Sequence, residues 1–269
     1  MDKSIFRRAG ADFLPSRHAS GPWDPRKLHG GAPAALITSA FEELEPGAEL
    51  AIARLGFELL RPVPLAPLTL STEIVRPGRR VQELAAELRC DGELICRASA
   101  LRVQRIAEDL PAERPSSTRD SHGEAGAGMP GPEDGRPVRF ALDDATRESF
   151  ASTAMEMRWI DDPEALGPAR VWMRVRLPLV DDEAAGALAS LAATADFGNG
   201  VSSELAFEDF LFINADLTIH LHRQPRGEWI GLDARTILQP GGVGIAESVI
   251  HDLDGPVGRA FQTLVVQAR

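Results

Sequence analysis

One pattern occurs twice in this chain. Displacing the sequence against itself by 163 positions brings Pro62 onto Pro225, Ile74 onto Ile237, Pro77-Gly78 onto Pro240-Gly241 and Asp91-Gly92 onto Asp254-Gly255. After one deletion, at a displacement of 162, Arg97-Ala98 falls on Arg259-Ala260 and Val103 on Val265. The shared residues are turn-formers and strand-formers, which two copies of one β-rich unit would keep. A unit duplicated in one chain implies an internal pair with a site where the copies meet. Residues that differ between the copies then mark the half that holds the chemistry.

Length and composition agree with two units. The chain has 269 residues, enough for two domains with their own cores, and its 43% apolar content is that of a globular protein. No run approaches the roughly 18 apolar residues of a membrane helix, so no membrane association is expected. The start, Met1-Asp2-Lys3-Ser4, leads into a charged segment, not an apolar one, so no secretory signal is expected. A net charge of −11 argues against a nucleic-acid surface and against adhesion to anionic lipid. The only cysteines, Cys90 and Cys96, flank an Asp-Gly turn and read as reduced thiols of a cytoplasmic protein.

The boundary between the copies falls in a stretch rich in Pro, Gly, Ser and charge, including Pro115-Ser116-Ser117 and Gly123–Gly128. It has too little apolar surface to offset the entropy of ordering it. The expected organisation is a first domain over 1–105, a flexible linker over 106–136 and a second domain over 137–269. In the first unit, Gly30-Gly31-Ala32-Pro33 opens an apolar helix that ends near Leu44. Strands follow over 51–60, 68–76, 81–90 and 93–103, with Pro77-Gly78 and Asp91-Gly92 as hairpin turns. The second unit repeats this order: a strand over 171–177, an Ala-rich helix over 183–197 closed by Gly198-Asn199-Gly200, then strands over 210–222, 229–238, 243–251 and 259–267. A helix followed by an antiparallel meander, twice, is an α+β pattern.

These residues carry a resemblance. One helix wrapped by an antiparallel sheet, in tandem, resembles the double hotdog arrangement of the type II medium/long-chain acyl-CoA thioesterases. Leu28-His29-Gly30-Gly31 is similar to that family's Gly-Gly approach to its first helix. Phe57-Glu58-Leu59-Leu60-Arg61-Pro62 resembles its aromatic-Leu-Arg-Pro segment. Asp216–Arg223 followed by Glu228-Trp229 resembles its Asp-led strand with His-Arg and the Glu-Trp that follows. The resemblance implies two tandem hotdog domains forming an intrachain pseudo-dimer, an acyl-CoA substrate, no cofactor and no metal.

It also implies a catalytic Asp, a Ser or Thr, and a Gln, all in the second unit; these map onto Asp216, Thr236 and Gln262, with His29, Gly30 and Gly31 contacting substrate. At the repeat's own displacements the first copy has Ala53, Glu73 and Ala100 opposite these three, so the candidates exist in one half only. Their chemistry suits hydrolysis. A carboxylate accepts a proton from water, hydroxyl and amide groups hold that water, and N–H groups opening a helix receive the oxyanion. No Gly-x-Ser-x-Gly elbow is present, and neither cysteine has an obvious histidine partner.

Two other readings compete. Asp24 and His29 have the Asp-x4-His spacing of hotdog (R)-specific enoyl-CoA hydratases, but Pro25-Arg26-Lys27-Leu28 between them lacks the Asn-Pro of those enzymes. A protein that binds acyl-CoA without turning it over is the second. His220 and His222 invite a metal reading, yet no third ligand has persuasive spacing. Acyl chain length, CoA versus carrier protein, and any homo-oligomer beyond the internal pair are left open by the sequence.

Overall fold

A computed structural model describes residues 3–45, 49–105, 128–139 and 148–269. The chain opens with a short hairpin, β1 (Phe6–Ala9) and β2 (Asp12–Pro15), before the helix α1 (Gly31–Glu43). The strands β3 (Leu50–Leu59), β4 (Leu68–Arg76), β5 (Val81–Cys90) and β6 (Glu93–Gln104) follow. Next come β7 (Arg136–Val138), β8 (Met155–Trp159), β9 (Ala169–Val175), α2 (Ala187–Ala195) and the single turn α3 (Gly198–Val201). The last strands are β10 (Phe210–Asn214), β11 (Asp216–Leu221), β12 (Ile230–Gln239), β13 (Val243–Asp252) and β14 (Gly255–Ala268).

Local chemistry accounts for these elements. In β5, Gln82, Leu84, Ala86, Leu88 and Cys90 are buried while their neighbours are half-open, the period of two of a strand with one covered face. Asp91 and Gly92 both take positive φ, 49° and 80°, as a tight hairpin between β5 and β6 requires. Helix α1 buries most of its length, including Ala32, Ala34, Ala35, Leu36 and Ile37. Its small side chains let a second helix and the sheet approach from different sides. Pro33 sits in its first turn, where no intrahelical N–H is lost.

All strands join one 14-stranded sheet in the order β1-β2-β4-β5-β6-β3-β11-β14-β13-β12-β9-β8-β7, with β10 pairing β14 beside that path. The two sets of strands meet where β3 runs antiparallel to β11, placing Asp216 opposite Glu58 and His220 opposite Arg54. Helices α1 and α2 lie against each other antiparallel. A Cβ on Gly31, at the start of α1, would come within 2.5 Å of the Ala193 carbonyl near the end of α2, and one on Gly186, before α2, would lie 3.5 Å from Glu42 near the end of α1. One continuous core combines Leu36 and Phe41 of α1, Leu188 and Leu191 of α2, and Leu55, Leu84, Ile219 and Leu232 of the strands.

The structure departs from the sequence reading in three places. Residues 106–127 of the expected linker lie outside the described residues, but 128–136 are packed. The Trp172 indole donates to the Pro130 carbonyl at 2.6 Å, Pro132 is buried, and β7 pairs with β8. The average composition of the stretch concealed these few apolar anchors. The helix expected over 183–197 is shorter, because Ala187 begins α2 and Asp196 already caps it. The strand expected over 210–222 is broken at Ala215. Among the described residues no helix is long and apolar enough to cross a membrane.

Candidate functional site

The break at Ala215 decides which side chains meet. In β10, Asn214 pairs with Leu264 of β14, whereas in β11 Thr218 pairs with Phe261. The register therefore shifts by one residue between them, and such a slip exchanges the faces of the sheet. Before it, Phe212 is buried and Asn214 points inward beside Leu264. After it, Leu217 and Ile219 are the buried residues, and Asp216, Thr218 and His220 lie on the outer face.

The inward cluster forms where α2 ends. Asp196, its capping residue, is almost entirely buried, and its carboxylate oxygens are held from three sides. Oδ1 accepts from Asn214 Nδ2 at 2.9 Å and from Gln262 Nε2 at 3.4 Å, and Oδ2 lies 2.9 Å from His29 Nδ1. Gln262 also closes the helix end, with Nε2 donating to the Asp196 carbonyl at 3.0 Å and Oε1 accepting from Asn199 N at 3.0 Å. Glycine is required at 198, because a Cβ there would meet Gln262 Oε1 and Ser248 Oγ, each at 2.9 Å. The His29 ring stacks on Phe197 with centroids 4.2 Å apart and is flanked by Phe150 at 5.2 Å.

Two groups compete for His29 Nδ1, since the Gly31 N–H also approaches it at 3.1 Å. A carboxylate can only accept, so the Asp196 contact places the proton on Nδ1. The Gly31 N–H is directed at that nitrogen from 3.1 Å, so the tautomer protonated on Nδ1 turns this contact from a hydrogen bond into a close approach. His29 Nε2 is left as the ring's lone-pair nitrogen, as in any histidine oriented by a carboxylate.

His29, Gly30, Asp196, Asn199 and Asn214 form the polar part of the wall of a cavity of about 650 Å³. The rest is largely apolar: Trp23, Leu59, Leu60, Val63, Phe207, Leu211 and Phe212. Trp23, Phe207 and Phe212 touch in sequence, at 5.6 and 5.5 Å between centroids, from the exposed Trp23 to the buried Phe212. Asp24, Lys27 and Arg61 also line the space. Asn199 Oδ1 is buried with no hydrogen-bond partner among the described residues, an unused acceptor in a residue that lines the cavity.

The residues singled out in the sequence fall into two groups. His29, Gly30 and Gln262 meet at the cluster. Gly30 must lack a side chain, because a Cβ there would lie 2.8 Å from Asp196 Oδ2; Gly31 is required by the closeness of Ala193. Neither glycine has positive φ. Asp216 does not reach the cluster. It sits on the outer face with Oδ1 accepting from Thr263 N at 2.7 Å, and the one-residue slip at Ala215 is the reason. Thr236 is buried and faces inward, but it is separated from Gln262 by Ala246 of the intervening strand. Its hydroxyl is 2.9 Å from that of Ser202, beneath α3. Asp24 is engaged with the Arg26 side chain, at 3.1 and 3.0 Å, and with its N–H, which holds its carboxyl below the ordinary range. Thus His29 takes Asp196, not Asp24, as its acid. His220 is exposed, His222 Nε2 lies 3.0 Å from the Pro256 carbonyl, and no three potential metal ligands converge among the described residues.

Sequence reasoning missed Asp196 and Asn214. Asp196 had a readable signal: it is the only charged residue between Glu183 and Glu204, at the end of an apolar Ala-rich helix, and buried carboxylates are rare without a purpose. Asn214 had none, since its inward orientation depends on the break that follows it.

Helices wrapped by one antiparallel sheet make this a hotdog-fold protein. A hotdog-fold protein of unknown function from Alicyclobacillus acidocaldarius superimposes with a TM-score of 0.71 at 18% identity, covering 100% of this chain and 97% of that one. Acyl-CoA thioesterase II TesB2 from Mycobacterium marinum gives 0.64 at 20% identity, covering 89% of each chain. A tesB protein of Mycobacterium avium subspecies paratuberculosis gives 0.62 at 16%, covering 97% and 96%. Likeness at such identities shows the fold alone. Family membership comes from the sequence profiles: the acyl-CoA thioesterase N-terminal domain matches residues 19–103 and the C-terminal domain residues 132–266. The chain belongs to the acyl-CoA thioesterase family. No curated protein matches it in sequence.

Proposed function

We propose that this protein hydrolyses acyl-CoA thioesters to the free acid and CoA, using water activated by the His29–Asp196 pair. The observation that carries the proposal is the 2.9 Å contact between His29 Nδ1 and Asp196 Oδ2 in the wall of a largely apolar cavity. We read the two strand sets as copies of one hotdog unit forming an intrachain pseudo-dimer, with the cavity between them. The N-terminal unit supplies His29 and the start of α1; the C-terminal unit supplies Asp196, Asn214 and Gln262.

In this reading the acyl chain lies against the apolar wall with its carbonyl carbon near His29. His29 Nε2 takes a proton from water as the water oxygen bonds to the carbonyl carbon. Asp196 stabilises the imidazolium that forms and keeps the ring turned. The oxyanion forms near the start of α1, where the helix dipole favours negative charge. Collapse of the tetrahedral intermediate breaks the carbon–sulfur bond, and the thiolate takes the proton back from Nε2. Gln262 and Asn214 orient Asp196, while Thr236 and Ser202 support the turn that carries Asn199. No nucleophilic side chain is needed.

The test is thiol release from acyl-CoAs of graded length. His29→Gln and Asp196→Asn are each expected to lower kcat by about 10²–10⁴-fold, the usual worth of a general base, with acyl-CoA binding retained. Asp216→Asn is expected to leave turnover near wild type. Wild-type rates in His29→Gln, or loss confined to Asp216→Asn, would overturn the assignment. Binding without turnover in the wild type would make the protein a carrier, and a change in enoyl absorbance would make it a hydratase.

A further inference from the structure

Three linked rings in the cavity wall lead outward from the polar cluster. Phe212 stands two residues before Asn214 on the inward face of β10, about 7 Å along the strand from the side chain that bonds Asp196. Phe207 follows at 5.5 Å, and Trp23 lies 5.6 Å beyond it. Exposure rises along this line from 2% at Phe212 to 38% at Trp23, so Trp23 is the ring at the surface. Phe207 and Phe212 follow α3 in the chain, whereas Trp23 precedes α1, so the wall is joined across the molecule. Trp23 is held on a stiff loop. Pro22 and Pro25 flank Trp23-Asp24 and restrict the backbone there. The stem of the loop is fixed as well: the Gly21 N–H donates to the Lys27 carbonyl at 2.7 Å, the Leu28 N–H to the Val63 carbonyl at 2.8 Å, and the Leu65 N–H to the Arg26 carbonyl at 2.7 Å. The Arg269 guanidinium lies 5.2 Å from the Trp23 ring centroid, a cation–π contact. The Arg269 N–H donates to the Asp209 carbonyl at 3.0 Å, which ties that cation to the segment carrying Phe207.

The chemistry of this wall decides which end of a thioester it suits. The pantetheine arm of CoA carries amides, and burying an amide without a partner costs free energy. The three rings offer those amides no acceptor, whereas an unbranched acyl chain needs none. The phosphates at the far end of CoA are better served by Lys27 and Arg61, the cations that line the cavity. We propose, resting on the thioesterase reading for the substrate, that Trp23 packed against Phe207 ends the acyl site and sets the longest chain this protein accommodates. A chain that stops short of Trp23 gains apolar contact with every added methylene. A longer one must either push the indole away from Phe207 and Arg269 or pass it into water, and gains nothing further.

Calorimetric binding of S-alkyl-CoA thioethers of graded length, which contain no hydrolysable bond, tests this apart from turnover. In the wild type Kd should fall about fourfold for each added methylene up to one length and then stop falling. In Trp23→Ala and Trp23→Leu that break should move to chains longer by about two carbons or more, into the space the ring vacates, with the slope below it unchanged. Phe207→Ala should move the break in the same direction. Leu166→Ala, at an exposed apolar residue outside the cavity, should leave it where it is. A wild type without a break, or a break that stays in both Trp23 variants, overturns the proposal. An equal loss of affinity at every length also overturns it, because Trp23 would then lie along the pantetheine arm. Failure of every thioether to bind overturns it together with the thioesterase reading. A Trp23-dependent break in a protein that releases no thiol from acyl-CoAs upholds the length limit and removes the hydrolase reading alone.

Discussion

Substituting the adjacent glycines Gly30 and Gly31 separates catalysis from packing. A Cβ at Gly30 would lie 2.8 Å from Asp196 Oδ2 and 3.0 Å from Oδ1, where ordinary contact begins near 3.4 Å. The carboxylate must therefore retreat by about 0.6 Å. That stretches the 2.9 Å His29 contact to about 3.5 Å, the limit at which a hydrogen bond is lost. The backbone tolerates alanine at Gly30, with φ −60° and ψ −26°. Gly30→Ala should thus lower kcat by roughly 10–100-fold through misplacement. Stability should fall by less than about 1 kcal/mol, a shift in Tm of under about 4 °C. At Gly31 the obstacle is the Ala193 carbonyl at 2.5 Å, part of a helix backbone that cannot turn aside. Gly31→Ala must spread α1 from α2, costing about 1–3 kcal/mol as overpacking. The gain in helix propensity offsets about 0.5–1 kcal/mol of that. The net is a fall in Tm of roughly 2–8 °C. The assays are thiol release and thermal unfolding on both variants. Gly30→Ala with wild-type turnover would refute the argument that Asp196 and His29 act as a pair.

Asn214→Ala removes the 2.9 Å donor to Asp196 Oδ1 and should lower kcat about 10-fold with KM little changed, as for other groups that orient a ligand or base; steady-state kinetics decides. Asp252 is held below its ordinary value of 3.8: burial opposes ionisation, but the Arg223 guanidinium and the N–H groups of Arg226 and Asp254 outweigh it. Because the folded value is depressed, this contribution is present above the unfolded value and is lost as pH falls through the folded one. The gap in urea midpoint between wild type and Asp252→Asn should therefore be wide at pH 7 and narrow as pH falls below the ordinary carboxylate range. Burial, with a smaller contribution from Glu58, pushes the Cys96 thiol up to about 12, and burial raises Cys90 as well. Neither thiol should react with a disulfide reagent at pH 8 until the chain is denatured, so native protein should add no background to the thiol-release assay.

Much of the fold was legible because it rests on short-range signals. Asp91-Gly92 and Pro77-Gly78 fix hairpins, and the strands expected over 68–76, 81–90 and 93–103 form as β4, β5 and β6. The site was less legible because it depends on parity. A continuous strand over 210–222 puts Asp216 at the head of its second half, and the resemblance supplied a role for it. The single irregular residue Ala215 exchanges the faces, so that Asn214 turns inward and Asp216 outward. Nothing in Ile213-Asn214-Ala215-Asp216 announces a bulge. Gln262 faces inward because β14 is regular around it, with Ala260 and Leu264 buried on the same side. Thr236 is buried on the inward face, but Ala246 of the intervening strand separates it from Gln262.

The duplication proposed above also explains why one helix end became a site and the other did not. At the end of α1, the buried guanidinium of Arg102 on β6 donates to the carbonyls of Phe41 and, at 2.8 Å, Leu44, and to Gln82 Oε1 at 2.9 Å. At the end of α2 the corresponding carbonyl, that of Asp196, is taken by Gln262, a shorter neutral side chain on β14. Both last strands thus cap the helix they wrap, as unpaired C-terminal carbonyls require. Arginine fills the space it caps and brings a charge that the helix C-terminus favours. Glutamine caps with one nitrogen and leaves room beside it for Asp196, His29 and a ligand. The choice of cap on the inward face of the last strand therefore separates scaffold from site in the two halves, and it is made at residues the repeat does not share.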